Sequence, residues 1–239
     1  MEEINKLLNI DDLKIVQNTD WFKFSLDSIL LVDFLNIDNK NAKILDLCCG
    51  NAPIPLLLTI KVNSVITGVE LQKEIFDLAK KSISINNLDD RIELLNIDAK
   101  DIVSKYESDT FDIITCNPPY FKVDENSLFN KNDIKTTARH ETNIKLEDIF
   151  KISKKILKNN GKIALVHRTE RFMDIVDEMR KNNIEPKRVR FVYPKTSKNS
   201  NLVLVEGSKN GKPGLKILPP LFVHDEDGNY LEKIKELFE

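Results

Sequence analysis

A regular alternation of short apolar runs with helix-like stretches constrains this chain more than any other feature. The runs are Ile44 to Cys49, Val65 to Val69, Ile92 to Ile97, Phe111 to Cys116 and Lys162 to His167. Between them lie stretches such as Leu71 to Asn86 and Ile144 to Lys158, whose apolar residues fall at helical spacing. A strand that returns parallel to its neighbour needs a long crossover, usually a helix. Runs this rich in apolar residues suit a sheet covered on both faces. The expectation is an α/β fold around a mostly parallel sheet. Past Glu170 a further helix runs through Ile175, Val176 and Met179. Strands at Val189 to Tyr193 and Leu202 to Glu206 follow, joined by the polar stretch Pro194 to Asn201. A hairpin closing one sheet edge is predicted there. The tail from Ser208 to Asp227 shows little periodicity.

Residues 1–40 read as an N-terminal extension. Trp21 to Phe24 alternates like a strand, and Ser25 is placed to cap a helix through Leu26, Ile29, Leu30, Val32 and Phe34. The rest, 41–239, reads as one domain, as its length suggests. With 36 Lys and Arg against 38 Asp and Glu, the net charge is −2. A dedicated nucleic-acid module usually carries an excess of basic residues, so binding of that kind would rest on local clusters. The polar, acidic N-terminus does not resemble a signal peptide, and no apolar run approaches the length of a membrane span. A cytoplasmic location is expected. Three cysteines (Cys48, Cys49 and Cys116) and three scattered histidines give neither a disulfide framework nor the spacing of a metal site.

The first apolar run ends in Asp46-Leu47-Cys48-Cys49-Gly50-Asn51-Ala52. Open α/β sheets bind ligands beyond the carboxyl ends of their strands. Gly50 allows a tight turn and a close approach of backbone to ligand. Glu70, followed by Leu71, closes the second run, where a carboxylate can accept hydrogen bonds from both hydroxyls of a ribose. Asp98, followed by Ala99, closes the third and suits an adenine amino group. Each acid alone also fits the cap of the helix after its strand.

The fourth run delivers Asn117-Pro118-Pro119-Tyr120. Two prolines fix the backbone and remove two N–H donors, so carbonyl oxygens remain. An aromatic amine is a poor nucleophile, because its lone pair is conjugated with the ring. The Asn117 side-chain oxygen and the Pro118 carbonyl can hold the two amine hydrogens and favour a pyramidal nitrogen. Tyr120 offers a flat face on which a flipped base stacks. A rigid turn after a buried strand is the plainer reading of the same residues.

This ordered set resembles the class I S-adenosylmethionine-dependent methyltransferases. The resemblance implies a Rossmann-like fold, with a mostly parallel seven-stranded sheet and an antiparallel edge hairpin. It implies S-adenosylmethionine as cofactor, with Asp46, Cys48 and Gly50 near its methionine end, Glu70 and Leu71 at the ribose, Asp98 and Ala99 at the adenine, and Asn117 beside the transferred methyl. The chain departs from the family where alternating glycines are usual: Cys48 and Ala52 flank Gly50. The segments Phe24-Ser25-Leu26-Asp27, Ala138-Arg139-His140-Glu141, Val166-His167-Arg168 and Gly211 to Lys216 are similar to the bacterial tRNA adenine-N6 methyltransferases that act beside the anticodon of a valine tRNA. That likeness covers nearly the whole chain. It implies tRNA as partner, catalysis by Asn117, Pro118, Pro119 and Tyr120, and cofactor contacts from Ser25 and Asp27.

Arg139, His140, Arg168, Lys187, Arg188, Arg190, Lys195, Lys198 and Lys212 are the candidates for a basic RNA-binding face. Two other functions stay open. Enzymes that methylate glutamine in release factors share the catalytic motif but carry a helical domain before it, for which too few residues precede Asp46. A cofactor- and RNA-binding module without catalysis would not need the motif.

Overall fold

The computed structural model describes residues 1–7, 13–18, 26–120 and 144–237. The chain opens with an antiparallel hairpin, β1 (Glu2–Lys6) and β2 (Lys14–Asn18), followed by α1 (Leu26–Phe34). Then come β3 (Ile44–Leu47), α2 (Pro53–Leu58), β4 (Ile66–Val69), α3 (Lys73–Ser84), β5 (Ile92–Leu95), α4 (Ile102–Lys105) and β6 (Phe111–Cys116). Past the segment 121–143 run α5 (Leu146–Ile156), β7 (Leu157–Arg168), α6 (Phe172–Lys181), β8 (Ile184–Tyr193) and β9 (Leu202–Lys209). The short β10 (Lys216–Ile217), β11 (Leu221–Phe222) and α7 (Glu232–Lys235) complete it.

One sheet of nine strands runs in the order β10-β8-β9-β7-β6-β3-β4-β5, with β11 also paired to β8. From β5 to β7 every pairing is parallel. β9 is antiparallel to both β7 and β8. The expected mostly parallel, doubly covered sheet is therefore present, with seven strands of four or more residues forming its body. Two expectations need correcting. The β8–β9 hairpin does not end the sheet, because β10 and β11 lie outside β8; they are two residues each, too short for periodicity to reveal. The β1–β2 hairpin was not anticipated either, since its strand β1 is polar and mostly exposed. The expected strand at Trp21 to Phe24 and the cap at Ser25 lie outside the described residues.

The strands divide their side chains between two apolar cores by simple alternation. Ile44, Ile113, Ala164, Val166 and Leu204 enter the core on the face covered by α1, α2 and α3. Leu45, Ile114, Ile163, Leu165, Val203 and Val205 enter the core on the face covered by α4, α5 and α6. Helix α5 shows the one-sided pattern this requires: Leu146, Ile149, Phe150, Ile152, Ser153 and Ile156 are buried, and its lysines face out. Helix α1 is buried nearly all round, from Ser28 to Val32 and at Phe34, because it sits against the sheet and α2 together.

Strand register fixes where chemistry can occur. Leu47 pairs with Val69 on one side and Cys116 on the other, and Cys116 pairs with Leu165. The loops after β3, β4, β6 and β7 therefore leave from one edge of the sheet.

Candidate active site

The loop after β3 turns through three left-handed residues in alternate positions: Cys48 (φ 60°), Gly50 (φ 59°) and Ala52 (φ 71°). That backbone suits glycine, and two of the three positions carry a side chain at a strain of about 1–2 kcal/mol each. The missing glycines are thus a change of residue and not of backbone path. A Cβ added at Gly50 would meet no atom within 4 Å, so open space lies in front of the loop. The loop is braced by Cys49 N–H donating to the Val69 carbonyl at 2.9 Å and by Asn51 Nδ2 donating to the Val16 carbonyl at 2.9 Å. The second of these ties the turn to the N-terminal hairpin.

Asp46 lies fully buried beneath this loop. Thr115 donates its hydroxyl to Asp46 Oδ1 at 2.5 Å, while Asp46 Oδ2 has no partner. Burial, with a smaller push from the Glu70 charge and against the Thr115 bond, raises the Asp46 carboxyl to about 8. An orphaned buried carboxyl oxygen at the ligand edge is what a cationic ammonium would satisfy. Glu70 is also buried, and its carboxyl is raised by that burial. Its Oε2 accepts from Gly50 N–H at 3.0 Å and its Oε1 from Gln72 N–H at 2.8 Å. Each oxygen retains a second lone pair, so the pair of ribose hydroxyls expected there can still donate. Leu71 leaves an apolar surface 40% exposed, whereas Ala99 is buried. Asp98 caps the short turn that begins at Ala99, accepting from Lys100 N–H at 2.9 Å and pairing with the Lys100 ammonium at 3.2 Å. Its capping role is thus seen directly. The cradle fits a nucleoside with a positively charged amino-acid tail.

Past β6, Asn117, Pro118, Pro119 and Tyr120 stand at the same edge. Asn117 Nδ2 donates to Ser28 Oγ at 3.2 Å. The Tyr120 hydroxyl stands 2.7 Å from Asp27 Oδ2 and 2.6 Å from Asn117 Oδ1. Burial first, and then the nearby Asp27 charge, raises the Tyr120 phenol well above its ordinary value, so it stays protonated. The Tyr120 ring packs at 5.3 Å, tilted by 54°, on the fully buried ring of His167. The first turn of α1 therefore meets the Asn117–Tyr120 segment directly. Ser28 and Thr115 escaped sequence reasoning, and His167 entered it only as part of a segment resembling the family. A buried serine in an apolar helix was the only signal for the first, and strand position the only one for the second.

The basic candidates do not form one uniform face. Arg188 pairs with Glu206 at 3.2 Å and covers the Phe34 ring at 4.7 Å; Arg190 lies 3.7 Å from Asp33. Lys187 and Lys195 donate to the carbonyls of Lys212 and Glu226, tying the tail to the sheet. Lys198 and Lys212 are exposed. Arg168 lies close enough to Tyr120 to favour its phenolate. Arg139 and His140 lie outside the described residues. Among the described residues no helix is long and apolar enough to cross a membrane.

The chain is similar to known methyltransferases. The chain is 26% identical over 184 residues to a tRNA1(Val) (adenine(37)-N6)-methyltransferase of Parabacteroides distasonis, covering 77% of this chain and 76% of that one. It is 24% identical over 221 residues to a protein of the same name from Bacteroides fragilis, covering 90% of each. Among solved structures, a predicted O-methyltransferase from Agrobacterium tumefaciens superposes with a TM-score of 0.71 at 18% identity, over 88% of this chain and 94% of that one. The geranyl diphosphate C-methyltransferase of Streptomyces coelicolor, solved with S-adenosyl-L-homocysteine, gives 0.57 at 13% identity, over 76% and 78%. Both structures share the fold described above. The profile of the methyltransferase small domain family matches residues 21–183, more than half of the chain and the whole span from α1 to α6. The chain belongs to the methyltransferase small domain family, within the class I methyltransferase fold.

Proposed function

We propose that the protein transfers a methyl group from S-adenosylmethionine to the exocyclic N6 of an adenosine in tRNA, at the position beside the anticodon of a valine tRNA. The observation that carries this is Asn117 and Pro118 at the strand edge next to the open loop at Gly50 and the orphaned carboxyl of Asp46. The named relatives from Parabacteroides and Bacteroides support the choice of tRNA adenosine.

S-adenosylmethionine, when bound, supplies an electrophilic methyl on a sulfonium sulfur. Glu70 and Leu71 would hold its ribose, Asp46 its ammonium end, and Asp98 and Ala99 would lie at its adenine. Asn117 Oδ1 and the Pro118 carbonyl would accept the two hydrogens of the substrate amine. That holds the nitrogen pyramidal with its lone pair directed at the methyl. The amine nitrogen held by Asn117 and Pro118 would take up that methyl, the C–N bond forming as the bond to sulfur breaks and its electrons stay on sulfur. The nitrogen's extra proton then passes to solvent, so no strong base is needed before attack. Positioning and electrostatics carry most of the rate in such a displacement. Tyr120 stacks on the base taken out of its helix or loop. Lys198 and Lys212 are the exposed candidates for backbone phosphates, with the partly buried Arg168 beside Tyr120. Residues 1–40 act with the catalytic domain 41–239 by delivering α1 to the motif.

The test is incubation of the purified protein with methyl-labelled S-adenosylmethionine and, separately, unmodified tRNA, a release factor and duplex DNA. The product is then identified by mass spectrometry. N6-methyladenosine in tRNA is expected. Label in the release factor alone would replace this reading with glutamine methylation.

A further inference from the structure

Asp27 and Ser28 are 93 and 89 residues from their partners in the catalytic motif, yet they touch it directly. The Tyr120 hydroxyl has one hydrogen. Two acceptors compete for it: Asp27 Oδ2 at 2.7 Å and Asn117 Oδ1 at 2.6 Å. Asn117 Oδ1 is also the acceptor that methyl transfer to an amine requires. When the hydroxyl points at Asn117, one of the two lone pairs of that oxygen is already taken inside the protein, which weakens it as an acceptor for the amine. When it points at Asp27, the oxygen is left for the incoming amine. A carboxylate accepts hydrogen bonds about twice as strongly as a neutral amide oxygen. Asp27 therefore draws the hydrogen toward itself. Ser28, by accepting from Asn117 Nδ2, keeps the amide oxygen turned toward the site.

We propose that Asp27 is a positioning residue that takes the Tyr120 hydroxyl hydrogen and so keeps Asn117 Oδ1 open for the substrate amine. This rests on the reading of the site as an amine methyltransferase. It gives Asp27 a role separate from the cofactor contact expected of it. Tyr120 then has two functions, a ring that stacks and a hydroxyl that has to be turned away. The raised phenol, protonated throughout the physiological range, is what makes the second function necessary.

Asp27→Asn keeps the shape and removes the strong acceptor. The expected result is a kcat for tRNA lower on the order of 10- to 100-fold, the scale of a misplaced contact at a reacting centre, with the KM for S-adenosylmethionine little changed. Asp27→Asn combined with Tyr120→Phe removes the competing hydroxyl and is expected to recover most of that loss. A double variant no faster than Asp27→Asn alone overturns the proposal. So does a large rise in the cofactor KM with kcat unchanged, which would assign Asp27 to the cofactor. A second readout needs no substrate: the Cζ resonance of carbon-13-labelled tyrosine, assigned by its loss in Tyr120→Phe. A clear shift of that resonance in Asp27→Asn is expected, and an unmoved resonance overturns the contact. Absence of methylation by the unaltered protein would defeat the amine-methyltransferase reading, and the resonance would still decide the Asp27 contact.

Discussion

The loops after β3 and β6 leave the same sheet edge from neighbouring strands, yet their backbones are shaped in opposite ways. The first bends through three left-handed residues, two of which are not glycine. The second is fixed by Pro118 and Pro119, which need no strain because their ring sets φ. The β3 loop holds its form because packing around it enforces an unfavourable conformation. The β6 loop holds its form because its own covalent structure allows little else. A ligand cradle built from backbone can be kept without its usual glycines if the surroundings supply the energy. On the proposed reading, acceptors aimed at a reacting nitrogen are better built from residues that cannot relax.

The sharpest way to break the contrast is at the rigid loop. Asn117→Ala removes the amide acceptor while both prolines stay. Loss of one preorganised polar group at a reacting centre costs about 10²–10³ in kcat, and single-turnover methylation of tRNA with saturating cofactor measures it. Cofactor affinity should be retained. A kcat within threefold of the unaltered protein would show that the motif is only a turn.

The next effect lies between the two loops. Asp46 sits under the first and is bonded to Thr115 of the strand feeding the second. Its folded-state carboxyl is raised from 3.8 to about 8 by burial, so the native state holds this proton more tightly than the unfolded chain. The stability it contributes is complete below pH about 4 and is lost as pH rises through about 8, a change of several kcal/mol at most. Thermal unfolding of the cofactor-free protein should therefore fall in midpoint from pH 5 to 8. Asp46→Asn, whose amide mimics the protonated acid, should flatten that slope. Glu70 and Glu206, raised in the same direction by burial, leave a smaller residual slope of the same sign. A slope unchanged in Asp46→Asn would place the titration elsewhere.

How much of this was legible depended on whether a residue's partner lay nearby in sequence. The parallel sheet was readable because each strand of the body announces itself by its own apolar run. Asn117 to Tyr120 stood out as a candidate because four adjacent residues can carry one chemistry together. The contact of Asp27 and Ser28 with that motif was not, since it exists only after the chain has folded α1 onto the edge of β6. The commitment of Arg188 to Glu206 and Phe34 was hidden for the same reason: a lysine- and arginine-rich strand reads as a free basic face until its cross-strand partner is known. The left-handed path at Cys48 and Ala52 was concealed because those residue types do not ordinarily mark it.

Gly50→Ala tests what the first loop faces. The added Cβ points into open space, so the cost to stability is the left-handed strain alone, about 1–2 kcal/mol. The methyl would meet the cofactor, whose affinity, read by calorimetric titration, is expected to fall on the order of tenfold, the equivalent of about 1.4 kcal/mol. Unchanged affinity would move the cofactor away from this loop.

The smallest effect is the most direct test of the contrast, because the two loops should respond with opposite sign. Cys48→Gly relieves about 1–2 kcal/mol of left-handed strain and returns about 0.4–1 kcal/mol to the unfolded chain as added freedom. The net is a stabilisation on the order of 0.5–1 kcal/mol, or a rise of about 1–4 °C in Tm. Pro119→Ala gains no strain relief and gives the unfolded chain the same kind of freedom, so it should destabilise by about 0.4–1 kcal/mol. Scanning calorimetry on both variants separates the signs. If Cys48→Gly also lowers Tm, the Cys48 side chain is worth more than the strain it carries. The packing of Cys48 against the core that contains Cys116 would then be the reason a side chain stands where glycine is the easier choice.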